Sequence, residues 1–115
     1  MHRGLNEQIP ASRLIDAGFI RIGQWTWISD EAFELDCIVP ANAGVYAFVV
    51  DGIIRYIGLT QRGLRGRMAH YVRGHARPRT SARVKGLILT VLNAGRRVEV
   101  LIATPEGTTW NGFQC

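Results

Sequence analysis

The stretch that decides the fold is Gly44-Val45-Tyr46-Ala47-Phe48-Val49-Val50-Asp51-Gly52-Ile53-Ile54-Arg55-Tyr56-Ile57-Gly58. Two runs rich in β-branched and aromatic residues flank Asp51-Gly52, a dipeptide suited to the positive φ values of a type I′ turn. The reading is a β-hairpin over 44–58, with Tyr46 on its first strand and Tyr56 on its second.

Working outward, apolar residues recur at Leu64, Met68 and Tyr71 or Val72, a helical spacing that predicts a helix from about Gly63 to Val72 carrying Arg65 and Arg67. A loop from Arg73 to Arg79 contains Gly74 and Pro78. Thr80 or Ser81 can then cap a helix running to Ala94 and closed by Gly95, with Val84, Leu87, Ile88, Val91 and Leu92 as its apolar stripe. Val98 to Thr104 reads as a third strand, ended by Pro105. Upstream, Ser12 to Ala17 reads as a short helix with Ser12 as N-cap and Gly18 as stop, and Phe19 to Ile28 as a β-like run. Trp25 and Trp27, two apart, share one face of that run and read as sheet packing rather than a base-stacking platform. Residues 29–43 read as an acidic connector, and the carboxylates of Asp30, Glu31, Glu34 and Asp36 match no calcium-loop spacing.

These elements predict an α/β (α+β) fold. Its small central antiparallel sheet has three strands, the hairpin 44–58 and the strand 98–104, flanked by helices. Residues 1–43 form an extension and connector, and 44–115 the principal domain. The length of 115 residues suits one domain. No apolar stretch approaches the roughly 18 residues of a membrane span, and the first residues lack an apolar signal region. The expectation is a soluble, cytoplasmic protein that does not engage membranes. Cys37 and Cys115 have no metal-site spacing and read as reduced thiols.

Charge is distributed unevenly. No acidic residue lies between Gly52 and Val98, whereas that stretch holds eleven of the fourteen basic residues: Arg55, Arg62, Arg65, Arg67, Arg73, Arg77, Arg79, Arg83, Lys85, Arg96 and Arg97. Such a block draws in polyanions, and arginine's planar fork suits bidentate contact with phosphate. Nucleic acid is the expected partner; the alternative is a solvated basic face, or one that meets an acidic protein.

Gly44-Val45-Tyr46, nine residues, Tyr56-Ile57-Gly58 and then Leu64-x-x-Arg67-x-x-His70 form a pattern that resembles the GIY-YIG nuclease superfamily. The resemblance covers about Gly44 to Thr104 and implies a DNA endonuclease domain dependent on a divalent metal, Mg²⁺ or Mn²⁺. It implies Arg67 as the cation on the scissile phosphate, Tyr46 as general base, and Tyr56 and His70 as aids to orientation or proton transfer. Gly58, Thr60, Arg62, Arg65, Arg73, Arg77 and Arg79 are the expected nucleic-acid contacts. The chemistry is consistent: a phosphodiester's negative charge repels an incoming nucleophile, so a site must offset that charge and take a proton. Tyrosine, with an ordinary pKa near 10, needs a neighbouring cation or metal to act as a base. The glycines would leave the strand ends open to a DNA backbone.

The sequence departs from that pattern in three places. Valine stands in the first tripeptide, and Arg67 lies nine positions after Gly58 where eight is usual, which makes Arg65 a second candidate. The family's metal-holding glutamate, on a helix after the third strand, has no counterpart at Glu99 or Glu106. Two explanations are open: a longer nuclease whose metal helix lies outside this chain, or a short member that binds nucleic acid without cutting. An uncovered strand 98–104 would also leave an apolar sheet face open, which predicts homodimerisation through it.

Overall fold

The computed structural model describes residues 8–73 and 79–104. Its elements are α1 (Ser12–Asp16), β1 (Ile20–Ser29), β2 (Ala32–Leu35), β3 (Gly44–Val50), β4 (Ile53–Thr60), α2 (Leu64–Arg73), α3 (Arg79–Asn93) and β5 (Val98–Ala103). The strands form one antiparallel sheet of five, in the order β2-β1-β5-β3-β4.

The hairpin is as the sequence predicts. Asp51 and Gly52 have φ of 54° and 79°, both positive as a type I′ turn demands. β3 is apolar throughout because it is buried on both faces. Tyr46, Phe48 and Val50 join the larger core cluster, which includes Leu64, Met68 and Tyr71 of α2 and Val84, Ile88 and Leu92 of α3. Ala47 and Val49 join a second cluster with Ile54 and Leu101. A register shift between Phe48 and Val49 pairs Phe48 with Tyr56 but Val49 with Ile54. Arg55 is thus the extra residue of a bulge, and Tyr56 and Ile54, which would otherwise share a face, serve different clusters.

The sheet is wider than the three strands expected. β1 pairs with β5, and β2 with β1, so residues 20–35 belong to the same sheet as the hairpin and the sheet continues across position 43/44. β2 lies inside the stretch read as a connector. Its single buried residue, Phe33, supplies too short an apolar signal to stand out among Glu31, Glu34 and Asp36. The two tryptophans diverge. Trp25 is buried edge-on against Phe33 and Phe48, at ring-centroid distances of 4.8 and 5.9 Å. Trp27 lies near the strand end, 48% exposed, its Nε1 donating to Asn93 Oδ1 at 2.6 Å.

The open face expected on the last strand is covered. Leu101 is 1% exposed because Ile9, Ala11, Leu14 and Phe19 pack over it and its neighbours. The N-terminal segment therefore occupies the apolar surface on which the dimer expectation rested. Backbone hydrogen bonds hold that segment in place, from Ala11 N to Gly52 O and from Ile54 N to Ile9 O. Ser12 is the first helical residue rather than the cap, since the N-cap is Ala11 with no side-chain bond. α3 begins at Arg79, just before the predicted Thr80 or Ser81. Pro105 and the tail to Cys115, with Glu106, lie outside the described residues, as does Arg77. No helix among the described residues is long and apolar enough to cross a membrane, and Cys37 forms no disulfide among them.

Candidate functional site

All three tyrosines of the chain meet at one end of the sheet. Tyr46 points from β3 toward the helices, fully buried. Its cross-strand partner is Gly58, and its ring lies over that glycine: a Cβ at Gly58 would collide with Tyr46 Cζ and Oη. Gly44 is tight for a similar reason, since a Cβ there would press on the Ala103 carbonyl and Leu64. Both glycines are thus required by packing within the protein, rather than simply leaving strand ends open as the sequence suggested.

α2 delivers the remaining groups. Its start is built by the connector: Gly63 adopts φ 125°, Leu64 N donates to Asn42 O at 2.8 Å, and Arg65 N donates to Pro40 O at 3.1 Å. Two of the first-turn amides that a helix leaves unpaired are satisfied in this way. Arg65 Nε reaches back to Val39 O at 2.7 Å, so this arginine staples the connector to the helix. Arg67, two positions on, faces the sheet, and its Nε donates to the Tyr46 hydroxyl at 3.1 Å. Of the two candidate arginines, Arg67 is the one that reaches the tyrosines.

Tyr71, by its spacing one of the apolar side chains of α2, completes the cluster. Its hydroxyl lies 2.6 Å from that of Tyr46, and the Arg67 guanidinium sits 5.2 Å from the centre of its ring. The available signal was the Arg67–Tyr71 spacing of four, which stacks both side chains on one helix face. Tyr56, from β4, stacks on Phe48 and lies 6.2 Å from Tyr46 between ring centres.

Burial raises the pKa of the Tyr46 hydroxyl above the ordinary tyrosine value, even though hydrogen bonds from Arg67 and Tyr71 and the arginine's charge pull it down. Burial, reinforced by hydrogen bonds with Tyr46 and Tyr56, pushes Tyr71 up much further. Arg67 is raised despite its own partial burial, by its hydrogen bond to Tyr46. At neutral pH the protein therefore holds two neutral phenols against a permanent cation.

A depression of about 480 Å³ opens over this cluster, lined by Thr60, Arg62, Gly63, Gly66, Arg67, His70 and Arg73. It gathers Thr60, Arg62, Arg67, His70 and Arg73 of the residues singled out from sequence. Tyr46 joins it through its hydrogen bond with Arg67, Tyr56 is not in its lining, and Arg65 is turned to the connector. Arg79 opens α3, and its side chain lies outside the description. The lining contains no carboxylate, and among the described residues no three His, Cys, Asp or Glu side chains group as metal ligands would. The described residues thus do not fit the Mg²⁺ or Mn²⁺ that the family resemblance implies.

The fold and site define an α+β domain in which a sheet-borne tyrosine and a helical arginine meet beneath a cationic depression. The same fold occurs in two DNA endonucleases of known structure. A mutant of bacteriophage T4 EndoII matches with a TM-score of 0.69 at 21% identity, over 84% of this chain and 74% of that one. The restriction endonuclease Hpy188I, in complex with product DNA, matches with a TM-score of 0.65 at 20% identity, over 88% of this chain and 64% of that one. No family model and no curated protein sequence matches the chain.

Proposed function

We propose that this chain is a DNA endonuclease domain of the GIY-YIG type that cleaves phosphodiester bonds at the depression over Arg67. The observation that carries the reading is the contact of Arg67 with Tyr46, a residue set opposite Gly58 across the hairpin. The motif's residue types thereby meet in space under a surface suited to phosphate. Support comes from the fold shared with two endonucleases, one of them bound to product DNA.

Arg67 offsets the charge that builds on the phosphate oxygens during attack. Tyr46 is neutral at rest, and its oxygen accepts from Arg67. A neutral phenol orients a water or a phosphate oxygen by hydrogen bonding. It serves as a base only after losing its own proton, which requires more positive charge than Arg67 alone supplies. Tyr71 fixes the Tyr46 hydroxyl, and Tyr56 packs beside both. His70, which lines the depression, is assigned the aid to orientation or proton transfer.

Incubating the protein with supercoiled DNA, with and without Mg²⁺ or Mn²⁺, tests the reading. Nicking is expected, and Arg67→Ala is expected to slow it by roughly 100- to 1000-fold, the scale of losing one transition-state donor. A variant rate within a few-fold of the parent's would remove Arg67 from the chemistry. The carboxylate-free lining favours a second reading, a module that binds nucleic acid without cutting it. That reading expects salt-sensitive binding and no product with any divalent metal.

A further inference from the structure

β4 is an edge strand, paired to β3 on one side and, on the other, met by the N-terminal segment at its start. There Pro10 bridges Ile53 in the antiparallel sense, and Ile54 N donates to Ile9 O at 2.9 Å. Beyond Ile54 the edge continues through Arg55 to Thr60, in the lining of the depression. Which backbone groups face it follows from the sheet. Val50 and Ile53 close the two-residue turn and exchange bonds, so on β3 Val50, Phe48 and Tyr46 turn toward β4, and Val49, Ala47 and Val45 toward β5. The β4 partners of the latter three, Ile54, Ile57 and Leu59, therefore direct their N–H and C=O groups away from β3. Their side chains share the face of the second core cluster, where Ile57 is 37% and Leu59 65% exposed. Outward backbone groups beside exposed apolar side chains make a template for one more strand.

The occupant that fits is the chain's own start. The segment at Ile9 runs antiparallel to β4, so the residues before it head along the edge toward Thr60. Stepping back by two from Ile9, and along the outward residues of β4 from Ile54, sets Glu7 opposite Ile57 and Leu5 opposite Leu59. Leucine then meets leucine. Glu7, the only carboxylate before Asp16, falls beside Arg55, the one charged side chain on β4. We propose that residues 4–8 extend the pairing begun by Ile9 and Pro10 and add a sixth strand to the sheet. The added strand closes the edge that leads to the depression against pairing with another chain.

Amide hydrogen exchange and cross-strand NOEs of the full chain, measured by NMR, test this. The Ile57 and Leu59 amides are expected to exchange slowly, and NOEs to connect Leu5 with Leu59. Glu7→Pro removes the donor opposite Ile57. It should speed exchange at Ile57 and Leu59 by about fivefold to tenfold, the scale of one hydrogen bond, while Gly58, bonded to β3, keeps its rate. Leu5→Asp leaves every backbone donor in place and sets a charge against Leu59. It should speed exchange at Leu59 and again spare Gly58, which keeps the test decisive should the proline disturb the fold. Fast exchange at Ile57 and Leu59 in the parent, or protection that neither variant changes, would overturn the inference. So would protection that grows with protein concentration, or Leu5–Leu59 NOEs found only between differently labelled copies, since either assigns the edge to a second copy.

Discussion

At the scale of single residues, the tyrosine cluster yields a direct optical readout. Tyr46, Tyr56 and Tyr71 are the only tyrosines, so tyrosinate absorbance reports this site alone. Because burial holds Tyr46 and Tyr71 above the ordinary value of 10.0, a spectrophotometric titration is expected to show most of the absorbance change above pH ~10. Full ionisation below that point would contradict the buried geometry. Gly58→Ala tests the same cluster sterically. The new methyl group would displace the Tyr46 ring, and with it the hydroxyl that accepts from Arg67. The expected outcome is a loss of nicking comparable to that of Arg67→Ala, with a lower unfolding midpoint.

At the scale of elements, the N-terminal segment is a cover as well as an extension. α1 has no fully buried residue of its own, yet Leu14 and Phe19 pack with Ile9 and Ala11 on Ala47, Val49, Ile54 and Leu101. Leu14→Ala is expected to cost about 2 kcal/mol, the low end for removing an aliphatic side chain from a packed site, because Leu14 is only half-buried. Urea unfolding measures this. Phe19→Ala should open the apolar face further, and a concentration-dependent increase in mass by light scattering relative to the parent is the expected readout. The connector is also an element with a task, since its carbonyls from Val39 to Asn42 hold Arg65 and the first amides of α2. Arg65→Ala should therefore loosen α2 and depress nicking through the placement of Arg67.

At the scale of the whole molecule, the raised tyrosine pKa values have a definite sign in stability. A group that holds its proton more tightly when folded contributes fully below its unfolded pKa, and that contribution is lost as pH rises through the folded value. Tyr46 and Tyr71 thus stabilise the fold up to about pH 10 and progressively less above it. The urea midpoint should hold up to about pH 10 and fall as pH rises above it, and Tyr71→Phe should reduce the slope. Charge is likewise a property of the whole: Asp51 and Glu99 are paired to Arg96 and Arg21. Asp30, Glu31 and Glu34 lie on β2 and its turn, at the opposite edge of the sheet from β4. The depression itself is lined by Arg62, Arg67 and Arg73 and by no carboxylate.

The hairpin, its turn, the two long helices and the last strand are legible in the sequence, because each rests on interactions among near neighbours. Asp51-Gly52 chooses a turn by backbone sterics, and Leu64, Met68 and Tyr71 recur with the helical period. The motif resemblance also singled out Tyr46, Tyr56 and Arg67, which the fold brings together. Long-range packing settles that β1 and β2 widen the sheet, that the N-terminal segment covers Leu101, and that Tyr71 joins the cluster. It also decided that Arg67 rather than Arg65 meets Tyr46. Those outcomes depend on pairing between segments far apart in the chain: β1 beside β5, and Ile9 against Ile54. Local periodicity carries no record of such partners, since a side chain's burial and hydrogen bonds are set by what the folded chain brings opposite it.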